Sequence, residues 1–151
     1  GATTLLYLNT MQPDRFKSVI TVGGLIYHSK QLREWIAKTG LNQLMEWAKY
    51  HGPEKQEYLA RVVWESRKLY GDASFTPDIL NTIKANWLVV LGDNDVAIPI
   101  QLGIEMHQNI PNSRLWIVPN GEHLPHLNPD IQPEFLRVSL EFLNGKWDKK
   151  D

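Results

Sequence analysis

The chain contains no cysteine. A disulfide scaffold, a thiolate nucleophile and a Cys-based zinc or iron–sulfur site are therefore excluded. An excess of charge of either sign is also missing: 16 Lys and Arg stand against 17 Asp and Glu, for a formal net charge of −1. The two signs are scattered along the chain, which argues against nucleic acid or an anionic membrane as the main partner. No apolar run approaches the length of a membrane span, and no charged segment followed by a hydrophobic stretch stands at the start. The compartment is not readable from the residues, and a cytoplasmic location is the working expectation. Internal repeats and low-complexity tracts are lacking as well.

What is there fits one folded domain. At 151 residues and 42% apolar content the chain can bury a core, which argues against disorder. Its organising stretch is RLWIVPNGEHLPH, Arg114 to His126. Leu115, Trp116, Ile117 and Val118 form an unbroken apolar run, the pattern of a strand covered on both faces in a parallel sheet. Pro119, Asn120 and Gly121 stop the strand and force a turn. His123 then stands just past the strand's carboxyl end, where ligands bind in open α/β sheets.

Taken in order, Ala2 to Met11 reads as an apolar helix ended before Pro13. Phe16 to Val22 is a β-branched strand closed by Gly23 and Gly24. A helical insert spans roughly Leu25 to Asn86. Its first helix is capped by Ser29 and ends at Gly40; a second runs from Leu41 to Gly52. Pro53 opens a third, ended by Gly71, and Thr76 before Pro77 opens a fourth. Tyr58, Val62, Val63, Leu69 and Tyr70 recur at helical spacing. Trp87 to Leu91 is a second unbroken apolar strand, running into the turn Gly92-Asp93-Asn94-Asp95. A helix from Pro99 to about Asn109, the strand Arg114–Val118 and a helix from Ile131 to Leu143 come next, with a fraying polar tail from Lys146. Strands separated by helices predict a parallel sheet with right-handed crossovers.

Two loops stand out, one carrying Asp95 and one carrying His123, each after a buried strand. If those strands are neighbours, both side chains lie at one sheet edge. A carboxylate beside an imidazole accepts a hydrogen bond from one ring nitrogen, fixes the tautomer and leaves the other nitrogen as a general base. Asp93 is the local competitor for Asp95, and either aspartate could simply form the turn. His126 could help position His123 or could only pack. A zinc site of His123 and His126 is disfavoured, because Pro125 between them prevents the same-face spacing of a zinc helix.

These two loops resemble those of the α/β-hydrolases. GDNDVAIP, Gly92 to Pro99, is similar to the family's acid loop, G-D-x-D-x-x-x-P, whose second Asp is Asp95 here. PNGEH, Pro119 to His123, is similar to its P-x-x-x-H loop, with Glu122 where the common form has Gly. QPDRFKSVITVGG, Gln12 to Gly24, resembles the segment joining the helix after the nucleophile to the next strand. The resemblance implies an α/β fold, a partial α/β-hydrolase fold with a parallel sheet flanked by helices. Residues 1–24 and 87–151 would form the C-terminal part of the core, and residues 25–86 a helical cap. It also implies that Asp95 and His123 belong to a Ser-His-Asp triad acting on an ester, or on an amide or carbon–carbon bond.

The family's nucleophile elbow, G-x-S-x-G, does not occur. Ser18, Ser29, Ser66, Ser74, Ser113 and Ser139 all sit in strand, helix-cap or turn contexts. GATTLLYL resembles the segment just after the nucleophile, with Gly1 as the elbow's last glycine, which places the serine two positions before Gly1. The expectation is thus the back half of a serine hydrolase, inactive alone, whose partners are a small-molecule ester and either the N-terminal half of the fold or a second copy. No metal or organic cofactor is implied. Two alternatives stand beside hydrolysis: acyl transfer on the same fold, and a hydrolase-like domain used only for binding. In the insert, Trp35, Trp47, Tyr50, Trp64 and Tyr70 are expected mostly to form the core of the cap, with some lining a substrate pocket.

Overall fold

The computed structural model describes residues 1–68 and 74–148. Its sheet has three parallel strands in the order β1-β2-β3: β1 Ser18–Val22, β2 Asn86–Gly92 and β3 Ser113–Val118. β2 lies at the centre, and its residues from Trp87 to Gly92 are buried without a break. The continuous apolar run therefore means what it should in a strand covered on both faces. β3 carries the same kind of run but is different in place: its residues 114–117 are only half-buried. Among the described residues it pairs on one side alone, so the expectation of two covered faces is corrected there to a partly covered edge.

Alternation along β2 distributes its side chains between two layers. Trp87, Val89 and Leu91 join Leu6 of α1 (Ala2–Met11) and Leu102 and Met106 of α5 (Ile100–Asn109) in one core. Leu88 and Val90 join Val118 and the Val138 and Phe142 side chains of α6 (Gln132–Leu143) in the other. The Trp87 indole is wholly buried, and its one polar atom is satisfied by donating to the Thr21 hydroxyl at 3.0 Å.

The insert between β1 and β2 is helical, as its stop signals predict. Ser29 accepts a hydrogen bond from the Leu32 N–H and opens α2 (Lys30–Ala48). Gly40 interrupts α2 with φ 76° and ψ 158°, so the single span is two helices meeting at a kink. Gly52 and Pro53 open α3 (Pro53–Ser66), and Thr76 accepts from the Ile79 N–H to cap α4 (Pro77–Leu80). β2 begins at Asn86, one residue inside the expected insert, and β1 begins at Ser18 rather than Phe16.

The helical spacing of Tyr58, Val62 and Val63 is borne out, since all three lie on α3. Tyr58, Val62 and Val63 are exposed, and α3 turns Ala60, Leu59 and Trp64 towards the core instead. Trp47 and Tyr50 likewise stand largely in solvent rather than in a cap core. The expected roles of Leu69, Tyr70 and Gly71, and of the last three tail residues, fall outside the described residues.

Candidate active site

Adjacent strands deliver the two loops to one edge. β2 and β3 pair in parallel register, Gly92 opposite Val118, so both chains leave the sheet together. Backbone bonds then tie the loops: the Asp93 N–H donates to Val118 O at 3.2 Å and the Asn94 N–H to Gly121 O at 2.9 Å. Space permits this because Gly92 has no side chain. A Cβ on Gly92 would stand 2.0 Å from the Gly121 carbonyl oxygen and 2.4 Å from that of Glu122. Asn120 takes the left-handed conformation, φ 57°, that turns the chain back after β3.

This close approach brings Asp95 and His123 together. Asp95 Oδ2 lies 2.9 Å from His123 Nδ1. Its other oxygen, Oδ1, accepts the Ala97 and Ile98 N–H groups at 2.8 and 2.9 Å. The Asp95 side chain is fully buried, whereas that of His123 is 46% exposed. Burial by itself would raise the Asp95 carboxyl, but the hydrogen bonds from His123, Ile98 and Ala97 outweigh it. The group is held below its ordinary range and carries a negative charge beside the imidazole. In the neutral imidazole, an Nδ1–H donated to that carboxylate leaves Nε2 as the ring's acceptor.

Two further residues hold the pair and were not anticipated from the sequence. Gly23, at the end of β1 with φ 59°, lies against the imidazole; a Cβ there would be 2.7 Å from His123 Cε1. Gln31, in the first turn of α2, donates from Nε2 to the Asp95 main-chain oxygen at 3.2 Å. The glycine pair at Gly23-Gly24 is visible in the sequence as a strand stop, but its contact with a residue 100 positions away is not. Asp93, the competitor for the acid position, is exposed, and among the described residues only Asp95 bonds His123.

His123 opens onto a pocket of about 420 Å³. Gly1 and the first residues of α1, Ala2 and Thr3, form one wall, and Leu25, Leu32, Trp35, Ile98 and Leu124 supply apolar surface. Trp35 is stacked on Trp47, with ring centroids 5.5 Å apart and planes 15° apart. His126 also faces this pocket. It is held by the short turn Pro125–Leu127, with its ring 5.3 Å from that of Phe135. No serine lines the pocket among the described residues. No cluster of three or more His, Cys, Asp or Glu able to hold a metal ion occurs among them either.

No family model matches the sequence, and no curated protein matches it. Solved structures do. A meta-cleavage product hydrolase from Pseudomonas fluorescens IP01 superimposes with a TM-score of 0.67 at 13% identity, over 97% of this chain and 62% of its own. A serine hydrolase from a polyaromatic hydrocarbon-degrading Cycloclasticus superimposes with a TM-score of 0.69 at 18% identity, over 99% of this chain and 62% of its own. The carboxylesterase CesB from Bacillus subtilis does so with a TM-score of 0.65 at 21% identity, over 95% of this chain and 57% of its own. This chain has the α/β-hydrolase fold in part, and spans about three-fifths of the length of the hydrolases it resembles.

Proposed function

We propose that this part of an α/β-hydrolase fold carries the acid and the base of a Ser-His-Asp triad that hydrolyses a carboxylic ester. The observation that carries the reading is the bond between His123 Nδ1 and the buried Asp95 carboxylate. In this reading Asp95 orients the imidazole and stabilises it once it is positive. His123 Nε2 takes the proton of a serine hydroxyl as that oxygen attacks the ester carbonyl, and returns it to the leaving alcohol. In the second half it takes a proton from water as water attacks the acyl-enzyme, and returns it to the serine.

The serine of this reading lies upstream of Gly1. Its support is the position of α1, whose first residues wall the same pocket as His123. A helix N-terminus beside a nucleophile favours the negative charge that develops on the substrate oxygen. Residues 25–86 act as the cap, with Trp35 lining the pocket. A metal or organic cofactor has no part in the mechanism. Further partners of this reading are the remaining part of the fold or a second copy of the chain.

Hydrolysis of p-nitrophenyl esters by the intact protein tests the assignment. His123→Ala is expected to lose several orders of magnitude in kcat, because triad members act as a unit. Asp95→Asn is expected to lose somewhat less. Retention of more than about a tenth of the wild-type rate by His123→Ala would remove the base from the proposal.

A further inference from the structure

The bonds that hold the Asp95 carboxylate differ from the bonds that place its loop. Asp95 Oδ1 accepts the Ala97 and Ile98 N–H groups, and the Asp95 N–H donates to Gly92 O at 3.4 Å. All of these partners lie within residues 92–98, so they fix the carboxylate on its own loop and travel with it. The distance to His123 depends on partners outside the loop. Before Asp95 these are Val118 and Gly121, whose carbonyls accept from the Asp93 and Asn94 N–H groups. At the Asp95 main chain the outside partner is Gln31, whose Nε2 donates to the carbonyl oxygen at 3.2 Å.

Gln31 stands in the first turn of α2, and Leu32 and Trp35 of the first two turns line the pocket. Ala97 and Ile98, the two donors to Asp95, line it too. One short stretch of helix thus carries both a pocket wall and a tie to the acid. Gln31 itself is exposed and does not line the pocket, so its route to the reaction runs through Asp95. A hydrogen bond weakens steeply as its atoms leave alignment, and catalytic groups must be held within about 0.5 Å by the residues around them.

We propose that Gln31 is a positioning residue of the reaction: its bond to the Asp95 main chain lets the first turn of α2 hold the acid at hydrogen-bonding distance from His123. The insert then has a second task besides walling the pocket, since it completes the geometry of the acid and the base. The inference rests on the reading of Asp95 and His123 as that acid and base.

Gln31→Met keeps the length of the side chain and removes the donor. On p-nitrophenyl butyrate, the intact protein carrying it is expected to lose roughly tenfold in kcat with KM nearly unchanged, the scale of one hydrogen bond. Gln31→His, at about pH 8 where the ring is mostly neutral and still offers an N–H, is expected to recover most of that loss. Tyr27→Phe is the control. It removes the bond from the Tyr27 hydroxyl to Glu105 at 3.0 Å, which joins the insert to α5 and not to the acid loop, and it is expected to leave kcat unchanged. The nitrogen-15 resonance of His123 Nδ1 in the resting protein is expected to move in Gln31→Met and to stay in place in the other two. A Gln31→Met protein, folded by circular dichroism, that keeps either its kcat or that resonance would overturn the proposal. An equal response in Tyr27→Phe, or a loss that Gln31→His does not restore, would overturn it as well. In the unmutated protein the Gln31 side-chain amide protons are expected to exchange more slowly than those of the exposed Gln43, and equal exchange would show that the tie does not hold. Because the resonance and the exchange need no turnover, failure there is distinguishable from survival of turnover in His123→Ala, which would instead defeat the assignment of the base.

Discussion

The loops after β2 and β3 and the helical insert are built on opposite principles. The loops are interlocked backbone to backbone. Gly92 and Gly121 are in contact, two N–H groups cross from one loop to Val118 and Gly121, and the Asp95 carboxylate takes part in three hydrogen bonds. The insert is held by helix caps, a kink at Gly40 and side-chain packing, and it leaves Trp47, Tyr50 and Tyr58 in solvent. Where two atoms must stay at 2.9 Å, main-chain contacts define the geometry, because they have no rotamers to lose. Where shape and adaptability suffice, side-chain packing is enough. Among the described residues, Gln31 links the two regions at the acid through its hydrogen bond to the Asp95 carbonyl.

If the loops are the rigid partner, an added methyl group there is costly. Gly92→Ala is expected to destabilise the protein by about 3 kcal/mol or more, since the obstacle is backbone and cannot rotate away. Urea denaturation followed by circular dichroism measures it. A change below about 1 kcal/mol would show that the loops can separate freely. Gly23→Ala meets both the His123 ring and its main-chain oxygen. It is expected to lower kcat more than it raises KM.

Acid should weaken the loops through Asp95. The Asp95 carboxyl is depressed in the folded state, below its ordinary value of 3.8. Its contribution is therefore present above that ordinary value and is lost as pH falls through the lower, folded one. Wild type is expected to be more stable than Asp95→Asn at neutral pH. The difference should shrink only below about pH 4. Stability measured across pH for both proteins checks the sign; an advantage that grows with acid would contradict the charged, hydrogen-bonded carboxylate.

The insert should respond in kind rather than in rate. Trp35→Ala is expected to change the ranking of acyl chain lengths while small esters are still cleaved. Rates across a series of p-nitrophenyl esters read this directly, and uniform loss on all of them with folding intact would count against a cap role. The smallest effect is expected at Ser29→Ala, which removes the α2 cap and should lower stability by about 1 kcal/mol with the triad chemistry unchanged. Thermal unfolding beside the ester assay separates the two readouts.

Local chemistry explains most of what could be read without coordinates. Ala2–Met11 folds as the helix that its residues spell. Ser29, Gly40, Pro53 and Thr76 mark helix boundaries because caps and breakers act within a few residues of themselves. Asp95 and His123 were legible as a pair because each stands after an apolar run and a turn, and neighbouring parallel strands bring such ends together. Which face of a helix is buried was not legible in α3. Val62 and Val63 are aliphatic like Leu59, and only packing against the rest of the chain selects between them. The partial cover of β3 was hidden for the same reason, since a run of apolar residues does not say which strand stands at the edge. The glycine at position 23 could be read only as a stop. That it makes room for an imidazole 100 residues later, and that Gln31 reaches the acid loop, depends on distances the linear chain does not contain. Helix ends, strand runs and the two chemical loops were thus determined by interactions close in sequence. The seat of His123 and the tether on Asp95 were decided only by residues that the fold brings together from far apart.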